Sequence, residues 1–169
     1  KIILNTIIHK NPNIVDKISK LYGSQSIVAF FDLKKIKNQY SIFINNGKIK
    51  LEEPAIKILK KICKMNIGEI LLRSIDKDGS GEGLEFDLLN LLPKDNLKNV
   101  ILSGGIGNTT HIEKGLNHKI VNAVCTGNLF NFISDELKNT REYLLKKNFN
   151  LPVWNYSELK SYKNKFKNY

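Results

Sequence analysis

Arginine is scarce in this chain: of 27 basic residues only Arg73 and Arg141 are arginine, although the formal net charge is +11. A basic surface attracts phosphate backbones. Base readout, however, leans on the planar arginine fork, and here the charge rests on lysines spread among asparagines. The pattern disfavours nucleic acid as a partner and fits a solvated lysine-rich surface. Cysteine is scarce too. Cys63 and Cys125 stand alone in the apolar runs KKICKM and NAVCTG, without the spacing of a disulfide framework or zinc site, so they read as buried free thiols suited to a reducing compartment. No apolar run approaches bilayer length and no charged-then-apolar leader opens the chain, which excludes a helical membrane span and favours a cytoplasmic location. Methionine occurs once, at Met65, and the first residue is Lys1; the sequence reads as a piece of a longer frame. His9, His111 and His118 share no ligand spacing with each other or with the cysteines and read as surface or capping residues. No Ser/His/Asp arrangement is visible, and nothing implies a metal or an organic cofactor.

What is present is an alternation. At 169 residues and 41% hydrophobic side chains, the chain has the size of one domain with its own core. Short apolar runs at KIILNT (1–6), SIVAFFDL (26–33), GEILLRSID (68–76), NVILSGG (99–105) and NAVCTG (122–127) read as buried parallel strands. Amphipathic stretches at 11–23, 52–66, 85–93 and 108–118 lie between them and read as helices. In the second, Ile56, Leu59, Ile62 and Cys63 share one helical face opposite a lysine face. A small hairpin, YSIFI (40–44) with the turn NNGK (45–48), is inserted before that helix, and a last helix is expected over Asp135 to Lys147 on the spacing of Leu137, Arg141, Leu144 and Leu145. Alternating strands and helices mean a parallel sheet. Five strands do not close an eight-stranded barrel and would equally suit an open doubly wound sheet, so the motifs must decide.

Two glycine-bearing turns follow strands. Ser103-Gly104-Gly105-Ile106-Gly107-Asn108 opens directly into a helix, where backbone N–H groups and the helix terminus favour an anion; a tight turn with an N-cap at Asn108 is the plain alternative. Thr126-Gly127-Asn128 follows the next strand. Two such turns one βα unit apart match the shared phosphate site after strands seven and eight of (β/α)8 enzymes. Asp32 closes the apolar run SIVAFFD, where a carboxylate serves either as a cap or in acid/base work. Asp76-Lys77-Asp78-Gly79 lacks the further ligands and closing glutamate of a calcium loop, and Asp78-Gly79 reads as a turn whose N–H groups point at a ligand.

Taken in order and spacing, VAFFDLK, GEILLRSIDKDGSGEG, LSGGIGN and TGNLFNF closely resemble the fourth-to-eighth βα units of the cyclase subunit of imidazole glycerol phosphate synthase. The resemblance runs from Lys1 to about Trp154 and implies a partial (β/α)8 barrel of the phosphate-binding type over 1–154, followed by a basic tail over 155–169. It makes KIILNT the fourth strand, with three strands upstream. It implies an ammonia-dependent cyclase of histidine biosynthesis, which takes ammonia from a glutaminase partner and forms an imidazole ring from a bisphosphorylated ribulosyl aminoimidazole carboxamide. Asp32 then matches the strand-five acid/base aspartate, whose strand-one partner lies upstream, so the chain alone is expected to be inactive and, with open strand edges, to self-associate.

By the same resemblance Asn5 and Thr6 lie near one phosphate, with Asp76, Asp78 and Gly79 closing on that end of the substrate. Ser103, Gly104, Gly105, Gly127 and Asn128 match the other phosphate site. Lys1 and Glu69 fall in the charged ring around the ammonia entrance. Two positions depart from the family pattern. Arg73 stands where a small hydroxylic residue is usual, and a cation there suits a carboxylate; the following loop reads GSGEG. Both open the alternative of a paralogue that channels ammonia to amidate a sugar carboxylate for bacterial surface polysaccharide, beside a third alternative of a non-catalytic phosphate-binding half-barrel.

Overall fold

A computed structural model of the protein describes residues 1–127, 129–132 and 136–153. The expected site residue Asn128 and the basic tail over 155–169 lie outside the described residues. The chain forms two compact units, 1–134 and 135–169.

The first unit is built on a sheet whose apolar runs are strands in the expected places: β1 (Ile2–Leu4), β2 (Ile27–Ile36), β5 (Glu69–Ser74), β6 (Asn99–Ser103) and β7 (Val121–Cys125). β1 pairs parallel with β2, β2 with β5, β5 with β6 and β6 with β7. Each parallel strand therefore lies beside the next one in sequence. A doubly wound sheet needs a switch point at which the strand order reverses. Among the described residues the order does not reverse, and the one-directional winding is that of a barrel segment.

Two antiparallel strands, β3 (Gln39–Ile44) and β4 (Ile49–Lys50), extend the sheet beyond β2. The hairpin was expected within 40–48, separate from the second strand. Instead β2 runs on to Ile36 and pairs Asp32 to Ile36 with β3. The reversal falls at Lys37 and Asn38, both at positive φ, and the NNGK turn joins β3 to β4, again through positive-φ Asn45, Asn46 and Gly47.

Strand periodicity sorts the sheet into two faces. Ile27, Ala29, Phe31 and Leu33 of β2, Ile70 and Leu72 of β5, and Val100 and Leu102 of β6 point one way and are almost wholly buried. They join Val15 of α2 (Asn13–Tyr22) and Ile58, Leu59 and Ile62 of α3 (Ala55–Cys63) in one core. The other face carries Val28, Phe30 and Asp32 of β2, Leu71 and Arg73 of β5, and Ile101 and Ser103 of β6.

Further expectations need correction. Ile56 is 53% exposed; the buried stripe of α3 is Ala55, Ile58, Leu59 and Ile62, a true i, i+3, i+4, i+7 set that begins one residue earlier. The 85–93 stretch is a 3-10 helix over Phe86–Leu91 rather than an α-helix. Cys125 is exposed, and Cys63 is half-buried; both are free. Cys125 sits at the open end of β7 on the face away from the core, so its apolar context did not bury it. The remaining helices of the first unit are α1 (Thr6–Lys10), α4 (Thr109–Leu116) and α5 (Leu129–Phe132).

In the second unit α6 covers Glu136–Lys146. Its buried residues include Thr140 and Leu144, whereas Leu137 is 43% exposed and does not belong to the apolar stripe proposed for it. The Arg141 guanidinium donates to the carbonyl of Pro152. Among the described residues no helix is long and apolar enough to cross a membrane.

Candidate functional site

In parallel α/β sheets the chemistry gathers where strands end, because loops there converge from neighbouring units. The register puts Asp32 of β2 beside Arg73 of β5, Arg73 beside Ser103 of β6, and Ser103 beside Cys125 of β7. All four lie in one row on the face opposite the core, with Arg73, Ser103 and Cys125 at or next to the carboxyl ends of their strands and Asp32 near the end of the parallel-paired part of β2, which runs on into the hairpin.

Asp32 is buried, and a buried carboxylate must be paired. Arg73 supplies the pairing, with Nε at 2.6 Å and Nη2 at 2.5 Å from Oδ1. Asn5, just after β1, donates from Nδ2 to the second oxygen Oδ2 at 3.2 Å and to the carbonyl of Phe30 at 3.2 Å. The guanidinium also lies over the Phe30 ring, 4.9 Å from its centroid, a favourable arrangement for a cation. Thr6 donates to Asn5 Oδ1 and accepts the backbone N–H of Asn45, which ties β1 to the hairpin.

The loop after β5 supplies the next layer. Asp76 accepts the backbone N–H of Lys35 at 2.8 Å, and Asp78 Oδ2 stands 3.7 Å from Arg73 Nη1. The N–H of Asp78 was expected to point at a ligand; it donates to the carbonyl of Ser74 at 3.0 Å instead. Gly79, Gly81 and Gly83 all take positive φ, and the loop they shape folds down onto the turn after β6. Gly83 N–H donates to Gly105 O at 2.7 Å. A Cβ on Gly104 would stand 2.6 Å from Ser74 O, and one on Gly105 2.1 Å from Gly83 O. Loop packing thus requires glycine at both positions, whether or not an anion binds. Gly127, after β7, differs: among the described residues a Cβ there would meet nothing within 4 Å, so their packing does not account for it.

Asn108 caps α4 as expected, its Oδ1 accepting the N–H of His111 at 3.0 Å. His111 does more than surface or capping duty. Its Nδ1 accepts the N–H of Gly107 at 3.2 Å and its ring packs near Gly83, so it braces both glycine-bearing segments. A histidine in the first turn of a helix that follows a glycine-rich turn was the available signal. Phe30 was also missed, although it shares a strand face with Asp32 two residues on.

Lys1 and Glu69 form an ion pair at the opposite rim, where strands begin. It lies away from the Asp32 row. Among the described residues no group of three or more His, Cys, Asp or Glu could hold a metal ion.

A singly wound parallel sheet with glycine turns at its carboxyl rim defines a partial (β/α)8 barrel. The family model for histidine biosynthesis proteins matches residues 1–134, the span of the first structural unit. Among similar proteins is one provisionally named imidazole glycerol phosphate synthase subunit hisF2 of Parasynechococcus marenigrum (strain WH8102), 38% identical over 142 residues, 84% of this chain and 53% of its own. The imidazole glycerol phosphate synthase subunit HisF of Campylobacter concisus (strain 13826) is 35% identical over 85% of this chain and 57% of its own. That of Chlorobium chlorochromatii (strain CaD3) is 33% identical over 87% and 59%. The chain belongs to the histidine biosynthesis protein family and is HisF-like. It spans a little over half the length of these curated relatives.

Proposed function

We propose that the chain contributes the phosphate-holding strand ends of an ammonia-dependent cyclase of the imidazole glycerol phosphate synthase type, acting in histidine biosynthesis with a glutaminase partner. The observation that carries this reading is the pair of turns after β6 and β7 in a singly wound sheet. The first is shaped by positive-φ Gly104 and Gly105, and the second keeps a glycine at Gly127 that packing does not require. The names of the relatives support the same reading. In it Ser103, Gly104, Gly105, Gly127 and Asn128 hold one phosphate, and Asn5, Thr6, Asp76, Asp78 and Gly79 border the other end of the substrate. Asp32 is the acid/base candidate, and Lys1 with Glu69 gates ammonia.

The test is binding of the bisphosphorylated ribulosyl aminoimidazole carboxamide, followed by calorimetry, because turnover needs the partner aspartate that the resemblance places on strand one. Binding that is lost for the analogue lacking both phosphates supports the proposal; no binding of the substrate, or equal binding of the two compounds, would defeat it.

One observation favours a second reading. In the cyclase role Asp32 has to exchange protons, yet both its oxygens are engaged, by Arg73 and by Asn5. An Asp32 committed to holding a cation suits a site that binds a carboxylated sugar for amidation better than one that runs acid/base chemistry.

A further inference from the structure

We infer that Arg73 is a specificity-determining residue, fixed in advance by Asp32, and that its open edge receives a single carboxylate of the substrate. The inference rests on the phosphate-holding role proposed above for the turn after β6.

Three contacts hold the guanidinium. Nε and Nη2 are directed at Asp32 Oδ1, and Cζ lies over the Phe30 ring, 4.9 Å from its centroid. Asn5 holds the other oxygen of the same carboxylate. The Asp32 side chain is 4% exposed and that of Arg73 35% exposed, so a buried anchor presents a partly open cation. A guanidinium carries five N–H donors in a planar fork. Asp32 takes the Nε side, which leaves the Nη1–Nη2 edge for a second planar acceptor.

Among the described residues that edge is only loosely occupied. Asp78 Oδ2 stands 3.7 Å from Nη1, beyond hydrogen-bonding distance. The Asp78 side chain is 53% exposed, on the loop shaped by Gly79, Gly81 and Gly83. Asp78 is therefore an internal stand-in: it places a carboxylate at the open edge without the bonds that would hold it there.

Charge selects the occupant. Asp32 already balances Arg73, so a phosphate dianion would add two negative charges beside two aspartates. A carboxylate that displaces Asp78 exchanges one charge for one, and its planar oxygens match the fork. Ser103, the register neighbour of Arg73, opens the glycine turn after β6. A carboxylate on Arg73 and a phosphate at that turn therefore belong to one small molecule, a phosphorylated carboxylic acid.

The test titrates the protein with glucuronate 1-phosphate and glucose 1-phosphate, which differ by a carboxylate against a hydroxymethyl group, using calorimetry at low salt. A charge-assisted bond missing from one probe predicts at least about tenfold tighter binding of the glucuronate. The ratio falls to near one in Arg73→Thr combined with Asp32→Ser, which leaves no orphan charge, and rises in Asp78→Asn, where the stand-in loses its charge. Should the double variant not fold, Asp78→Asn on its exposed loop decides. Both sugars bound equally by the wild type, a ratio preserved in the double variant, or a ratio lowered by Asp78→Asn overturns the assignment while leaving the phosphate turn standing. Binding of neither sugar overturns both.

Discussion

Gly107 and Gly81 meet backbone to backbone: a Cβ on Gly107 would stand 2.5 Å from the carbonyl oxygen of Gly81. Gly107 needs no left-handed φ, so space alone demands glycine there. Its neighbour Gly105 needs both the space and the conformation, at φ +90°. Gly107→Ala and Gly105→Ala are each expected to destabilise the protein by about 1–3 kcal/mol, Gly105→Ala more. Gly127→Ala, with nothing near its Cβ, should stay within about 0.5 kcal/mol. Urea denaturation of the three variants checks the order; a Gly127 variant as damaging as the other two would mean that the turns are not fixed by loop packing.

The Asp32 and Arg73 charges are predicted to be strongly non-additive. Arg73→Thr leaves Asp32 buried without its cation, a situation that costs about 3 kcal/mol. Arg73→Thr with Asp32→Ser leaves no orphan charge and should cost less than the single change. A double-mutant cycle by denaturant unfolding yields the coupling. Additive losses would show that the pair is solvated rather than held.

Sequence made the architecture legible because buried parallel strands leave unbroken apolar runs and the runs were spaced by helices. It also located the strand ends that carry Asp32 and Ser103. What it did not reveal lies across the sheet. Asp32 and Arg73 are 41 residues apart, and their contact follows from the β2–β5 register, which periodicity does not specify. The role of His111 depends on one backbone N–H in a turn of particular shape. The glycines of the loop after β5 stood out in sequence as a departure from the family pattern, whereas in the fold they fit the backbone of the turn after β6. Ile56 went wrong because a helical face read from an apolar pattern is uncertain by one residue until the packing partner is known.

The bond from Gly107 to His111 gives a direct readout. Removing the imidazole in His111→Ala leaves the Gly107 N–H without its acceptor, and amide hydrogen exchange at Gly107 should accelerate by about tenfold, as for loss of a bond of about 1 kcal/mol or more. Exchange at Leu102 in the middle of the sheet should not change. Acceleration at both positions would point to global destabilisation instead of a local brace.

The two thiols should react very differently. Cys125 is exposed. Cys63 is pushed up to about 11, chiefly by burial, against an opposing pull from Lys98. Since the thiolate is the nucleophile, iodoacetamide at pH 8 should label Cys125 first and Cys63 at least about tenfold more slowly, as followed by mass spectrometry. The same shift makes the folded state lose stability as pH rises from 9 to about 11, because the unfolded thiol ionises first. Equal labelling would show that the end of α3 opens readily.

His9 sets the acid side. Its ring meets Phe31 edge-on at 5.7 Å between centroids, and Nε2 is buried without a partner. A cation is poorly tolerated there, and burial lowers the pKa from its ordinary 6.5. Above pH 6.5 the imidazole is mostly neutral in both states and contributes little slope. As pH falls below 6.5 the unfolded chain takes up a proton that the folded chain refuses, so the unfolded state binds more protons and stability drops, until the lowered folded value is passed. His9→Phe keeps the ring and removes the titration. Urea midpoints at pH 7.5, 6 and 5 should therefore fall less steeply for His9→Phe than for the wild type. Parallel declines would show that carboxylates elsewhere, and not this imidazole, govern the loss of stability in acid.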